Sequence, residues 1–302
     1  MGDRQAGTAS LDDPRVFTSP ASAVPTGVRG ATLFGMRTTE APGLVTLVPG
    51  SVLNAGFSNS PIGTHTGKTM MLPELRLLLG AVPGTAGFAD YHRATVEENA
   101  LAKATAANRS NTLMYLKQLY GLRPDIPMFV ALRELWDVKF SDQPILAMLC
   151  ASARDVLLRS TADAVLGTAT GEPIAAADLS AGIAEAYPGR YRPSTLRNLG
   201  QNIASSWTQS GLLVGAQDKR RSTPSVDIPA VVYAMYLGHL EGLAGLALFT
   251  SRWSRMLDRN EADLRPMAEA AGRSGWLEYR SSGGMTEIGF RHLDDLTGWT
   301  AS

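Results

Sequence analysis

The chain has 302 residues, is 44% hydrophobic, and carries 28 Lys/Arg against 28 Asp/Glu, for a formal net charge of zero. That length and apolar content suffice for at least one sizeable core and exclude a disordered chain. Neutrality, with a pI near 6.9, excludes a global basic field, so any nucleic-acid surface has to be local.

Residues 1–50 are rich in Gly, Ala, Pro, Thr and Ser without periodicity, and read as a flexible leader with room for a strand around LVTLVPG. The opening MGDRQAGTASLDDPRVF has an acid pair where a signal peptide needs bases, so export is not expected and a cytoplasmic address follows. Met36, Met70 and Met71 leave room for a downstream start. From Leu72 the texture changes. MLPELRLLLGAV, FADYHRATVEENALAKATAANRSNTLMYLKQLYGL, PMFVALRELWDV and QPILAMLCASARDVLLRSTADAVLG carry apolar residues three and four apart, broken at Gly and Pro. Residues 51–170 therefore read as a bundle of four or five helices. Cys150, the lone cysteine, sits there as a buried helix residue; it has no partner for an intramolecular disulfide or a CxxC site, as in a reduced, intracellular protein.

Residues 171–225 read as a different unit. AADLSAGIAEAY forms a helix, PGRYRP a turn, and Ser194 caps a second helix running to about Ser210. Gly211 stops it, LLVG is a short strand, and AQDKRRSTPSVD is a basic loop. Helix, turn, helix, strand and basic loop is the order of a winged helix-turn-helix. In residues 226–302, AVVYAMYLGHLEGLAGLALF reads as a buried helix rather than a membrane span, because His239, Glu241 and three glycines interrupt it. Two further helices and a Gly-Gly hairpin, WLEYR to MTEIGF, close the chain. The fold class expected is mainly α: a helical bundle plus winged helix-turn-helix-like units with short β-hairpins.

In the second helix of the middle unit, Leu196, Leu199, Ile203 and Trp207 form an apolar stripe. The opposite face offers Arg197, Asn198, Gln201, Asn202, Ser205 and Gln209, and no acid occurs from Leu196 to Ala216. Arg pairs with guanine, and Asn or Gln with adenine. Between Gly189 and Pro224 six bases (Arg190, Arg192, Arg197, Lys219, Arg220, Arg221) stand against one acid, Asp218, whereas residues 258–295 hold eight acids and five arginines. The candidate DNA-binding set is thus Arg197, Asn198, Gln201 and Asn202 for base edges, and Arg190, Arg192, Lys219, Arg220 and Arg221 for phosphates.

ELRLLL, RATVEENALAKATAANRSNTLMYLKQLYGL, ARDVLLRSTADAVLG, NIASSWTQSGLL and WLEYRSSGGMTEIGF resemble, in this order, the BrxA family of bacteriophage-exclusion (BREX) systems, over roughly residues 55–293. The resemblance implies a small soluble accessory protein of a phage-defence locus, helical with winged-helix character, associated with DNA binding and without established enzymatic activity.

Catalytic patterns are missing from the linear sequence. PIGTHTGKT departs from a phosphate-loop motif because Ile62 stands where the first glycine belongs. His65, His92, His239 and His292 lack ligand spacing, Glu97 and Glu98 point apart on a helix, and neither a Ser-His-Asp nor a GxSxG arrangement is seen. The expectation is a non-catalytic protein without cofactor, metal, small-molecule substrate or membrane contact. Its expected partners are double-stranded DNA and other defence subunits; the alternative is a scaffold that docks such subunits without touching DNA.

Overall fold

The computed structural model describes residues 47–300, which belong to a single compact unit. Residues 1–46 of the leader, which include the first three residues of the LVTLVPG stretch expected to hold a strand, lie outside the described residues. Where that stretch is described, residues 47–49 are not strand and Gly50–Ala55 is a 3-10 turn that buries Val52 and Ala55.

The first helices are α1 (Leu72–Ala81), α2 (Phe88–His92), α3 (Ala106–Tyr120), α4 (Pro127–Trp136), α5 (Gln143–Arg154), α6 (Val156–Arg159) and α7 (Ala162–Gly167). Prolines fit the first turns of α1, α4 and α5, where the missing N–H has no intrahelical partner to lose. The long helix expected across RATVEENALAKAT does not form. After α2 the chain makes a π-helical turn over Arg93–Glu97, and positive φ at Asn99 (55°) and Ala102 (51°) keeps it irregular until Thr105 caps α3 by accepting from the Asn108 amide. Helix α5 is buried nearly all round, Cys150 included, and stands at the centre of the bundle.

The middle segment contains α8 (Ala176–Ala186), α9 (Pro193–Gln209), β1 (Leu213–Val214) and β2 (Arg220–Arg221). Helix α9 begins two residues earlier than expected. Pro193 is its first residue and Arg192 its N-cap, so Ser194 is not the cap. Gly211, at φ 84°, ends it. The strands pair antiparallel, Leu213 with Arg221 and Val214 with Arg220. Residues 171–174 lie along the other edge of β2: Gly171 N–H donates to Arg221 O, Arg221 N–H to Glu172 O, and Ile174 N–H to Lys219 O, each at 2.9 Å. Helices α8 and α9 meet closely at Gly200, where a Cβ would lie 2.3 Å from the Ala176 carbonyl.

The third segment holds α10 (Ile228–Leu240), α11 (Arg252–Arg255), α12 (Glu261–Arg273), β3 (Glu278–Ser282), β4 (Met285–Gly289) and α13 (Arg291–Thr297). The apolar run expected as one helix to Phe249 breaks after Leu240 and resumes as a 3-10 turn, Gly245–Leu248, with Gly242 and Gly245 at positive φ. The Gly283-Gly284 hairpin forms with the expected alternation, and α13 follows it without a sequence signal. The chain described is mainly helical, with two small antiparallel hairpins. The bundle, the middle segment and the last segment share one hydrophobic core.

Candidate nucleic-acid interface

Helix α9 sits on α5 and α8 through Leu199, Ile203, Ala204 and Trp207, all fully buried, and the Trp207 indole N–H donates to Thr161 Oγ1 at 2.9 Å. Its polar side is divided between two uses, and the division follows the helical turn. Asn202, Ser206 and Gln209 fall at spacings of four and three and share one line along the helix. That line grips the segment running from Gly56 to Leu72, which forms a strap alongside α9. Tyr191 Oη donates to Pro61 O at 2.5 Å and Asn202 Nδ2 to His65 O at 3.0 Å. Ser206 Oγ accepts from the Met70 amide at 2.8 Å, and Gln209 accepts from the Leu72 amide at 3.0 Å while donating to Thr69 Oγ1 at 3.0 Å.

Beneath the strap lies a chain of three side chains 51 to 141 residues apart in sequence. His65 Nδ1 is 2.7 Å from Asp155 Oδ2, and His65 Nε2 is 2.9 Å from Ser206 Oγ. This corrects the sequence reading, in which no Ser-His-Asp arrangement was visible. The arrangement is closed: His65 and Ser206 have no exposed surface and Asp155 has 2%. Ser206 Oγ is also within 2.8 Å of both the Asn202 carbonyl and the Met70 amide, so no side of the hydroxyl faces a substrate. Burial alone would raise the Asp155 carboxyl, but the imidazole of His65 and the amides of His65 and Leu157 hold it below the usual carboxylate range. Gly63 is required where the strap crosses this carboxylate, because a Cβ there would lie 2.3 Å from Asp155 Oδ1. Arg159 fixes the strap's start through Ser58 O at 3.0 Å and Asn59 Oδ1 at 2.9 Å. The glycines and threonines of PIGTHTGKT thus shape a clamp.

The candidate residues separate accordingly. Arg197, Asn198 and Gln201 are exposed on the first half of α9 and have no hydrogen-bond partner among the described residues. Arg190 and Arg192 are exposed in the turn before it, with the Arg190 guanidinium 5.9 Å from the centre of the Tyr191 ring. Arg220 is exposed and donates to Gly171 O at 2.9 Å, which leaves part of its guanidinium to solvent. Lys219 is half-buried and pins the β1–β2 turn through Thr208 Oγ1 at 3.1 Å and the Gly215 and Ala216 carbonyls. Two assignments are corrected. Asn202 is committed to the strap. Arg221 is 2% exposed, ion-paired with Asp258 at 2.7 Å and bonded to Leu212 O, so its charge is consumed inside the protein.

The other histidines have local partners: His239 meets Asp294 at 3.2 Å, His292 meets Glu134 at 3.1 Å, and His92 meets Glu97 at 3.6 Å. Among the described residues no group of His, Cys, Asp and Glu is placed to hold a metal, and no helix is long and apolar enough to cross a membrane. A scan of family models and a comparison with curated proteins find no match to the chain.

Proposed function

We propose that residues 162–221 form a winged helix-turn-helix and that the chain binds double-stranded DNA through it without catalysing a reaction. The order α7, extended 171–174, α8, α9, β1, turn, β2, with 171–174 and β1 flanking β2, supports the winged reading. In such units the first turns of the second helix meet base edges. The observation that carries the proposal is that these turns present Arg197, Asn198 and Gln201 to solvent with no internal partner. Arg190, Arg192 and Arg220 flank them as phosphate contacts. The exposed side of α12, by contrast, carries Asp263 and Glu269, which repel a phosphate backbone. The resemblance to BrxA would place this DNA-binding activity in a cytoplasmic phage-defence system, where the protein helps to seat other subunits on DNA.

The test is fluorescence anisotropy of a mixed-sequence duplex between about 50 and 200 mM salt. With Arg190, Arg192 and Arg220 on phosphates, the logarithmic salt slope from this unit is expected near −2.7, about −0.9 for each phosphate neutralised. Changing Arg190, Arg192 and Arg197 together to Ala should remove most of that slope. An unbound wild type at low salt, or a triple variant with the wild-type slope, overturns the proposal and turns attention to a protein-docking scaffold.

A further inference from the structure

The 28 acids that neutralise this chain are absent from three of its stretches: residues 50–73, 99–124 and 186–217 contain neither Asp nor Glu. The fold brings the three together. The last contains α9 and the first is the strap, joined by Asn202 on His65 O and Gln209 on Thr69 Oγ1, both at 3.0 Å. The remaining stretch contains α3, joined to the strap by Thr64 Oγ1 donating to Gln118 Oε1 at 3.0 Å. On α3, Asn108, Asn111, Tyr115 and Gln118 recur at spacings of three, four and three, and therefore lie on the strap side. Asn108 and Asn111 are exposed there.

Lys68 stands in the middle of this ledge. It is exposed, has no carboxylate partner among the described residues, and its Nζ lies 5.9 Å from the centre of the Tyr115 ring. The backbone on both sides of it is held to α9, through His65 O and Thr69 Oγ1, so the lysine is carried on a fixed support. The strap covers only the later part of the Asn202 line. Asn198, one turn earlier on the same line, is where the open face of α9 begins. A duplex lying on that face would continue past the strap.

We infer that the strap and the adjoining side of α3 extend the DNA surface beyond the helix-turn-helix, with Lys68 holding a backbone phosphate of the flanking duplex and Asn108 and Asn111 bordering it. The inference rests on the DNA reading above and adds a contact that a helix-turn-helix alone would not make. It also gives the HTGKT segment a role in binding: the buried half of the strap clamps α9, while the lysine on its outer side meets phosphate.

The charge has a matched control. Lys117 is exposed on the same helix as Tyr115, two residues on and so facing elsewhere, and its Nζ lies 4.2 Å from the centre of the Phe88 ring. The experiment is the salt series on a duplex long enough to extend past α9 on both sides, with wild type, Lys68→Ala, Lys68→Glu and Lys117→Ala. Lys68→Ala should make the slope shallower by about 0.9 and weaken binding several-fold at low salt, and Lys68→Glu should weaken it further. Lys117→Ala should bind as wild type. If both Lys68 variants bind as wild type while the Arg190, Arg192 and Arg197 variant fails, the strap is a clamp only and this inference falls with the DNA reading intact. Equal losses from Lys68 and Lys117 would mean a diffuse field and also overturn it. A wild type that binds no duplex removes both proposals.

Discussion

Ser206→Ala isolates the clamp under α9. In the wild type the fully buried hydroxyl accepts from the Met70 amide at 2.8 Å and contacts His65 Nε2 at 2.9 Å. Alanine removes both contacts and leaves two polar groups shut from water, each costing about 1–3 kcal/mol. The better helix propensity of alanine returns only about 0.5 kcal/mol. The net loss should be about 2–4 kcal/mol, seen as a lower urea midpoint with an unchanged slope, and as a fall in melting temperature of roughly 5–12 °C. Ser205, the neighbouring residue, is half-buried and has no partner among the described residues, so Ser205→Ala should stay within about 0.5 kcal/mol of wild type. A Ser206→Ala protein as stable as wild type would refute the hydrogen-bond reasoning. Covalent labelling of wild-type Ser206 by a fluorophosphonate would refute the conclusion that the hydroxyl is closed to substrates.

Three further predictions follow from the same contacts. Because the folded Asp155 carboxyl lies below its ordinary value, its stabilisation is complete above the unfolded pKa of about 3.9 and is lost as pH falls through the folded value. The stability gap between wild type and Asp155→Asn should therefore be widest from pH 6 to 8 and narrow below about pH 4, as followed by urea midpoints. Arg221→Ala should cost about 3 kcal/mol or more by leaving Asp258 without its buried partner, yet leave the salt slope of DNA binding unchanged. Arg220→Ala should do the reverse. Gly200→Ala should destabilise by about 1–3 kcal/mol, because the new Cβ has only 2.3 Å to the Ala176 carbonyl and the two helices must part.

The local punctuation of the fold was legible in the sequence. Gly211 at positive φ, Gly283-Gly284 in the hairpin, and the stripe Leu199, Ile203 and Trp207 each follow from a backbone or packing need expressed within a few residues. The breaks inside apolar or helical-looking runs were not. RATVEENALAKAT has helical composition, but the chain takes a π turn and two positive-φ residues there, a choice that reflects packing between α1 and α3. On α9 the periodicity separated inside from outside but could not divide the polar side. Asn198 and Asn202 are alike in type and one turn apart, and only the strap, fixed at His65, gives one to solvent and the other to the protein. Likewise Arg220 and Arg221 alternate across a strand, so one of the two had to face inward; Asp258, distant in sequence, shows that it is Arg221. The Ser206, His65 and Asp155 contact is a product of the tertiary fold, with no sequence spacing to reveal it.

Contact between the outer face of α9 and DNA is open to photocrosslinking from a single engineered cysteine. The native Cys150 is fully buried, and burial pushes its thiol up to about 11, so it does not compete for the label. Asn198→Cys places a probe on the open half of α9, and Ala262→Cys places one on the exposed, acidic side of α12. Contact through α9 should give duplex crosslinks from position 198 that fade with salt, and none from position 262. Crosslinks from 262 alone, or none from 198 under conditions where the duplex is bound, would contradict it.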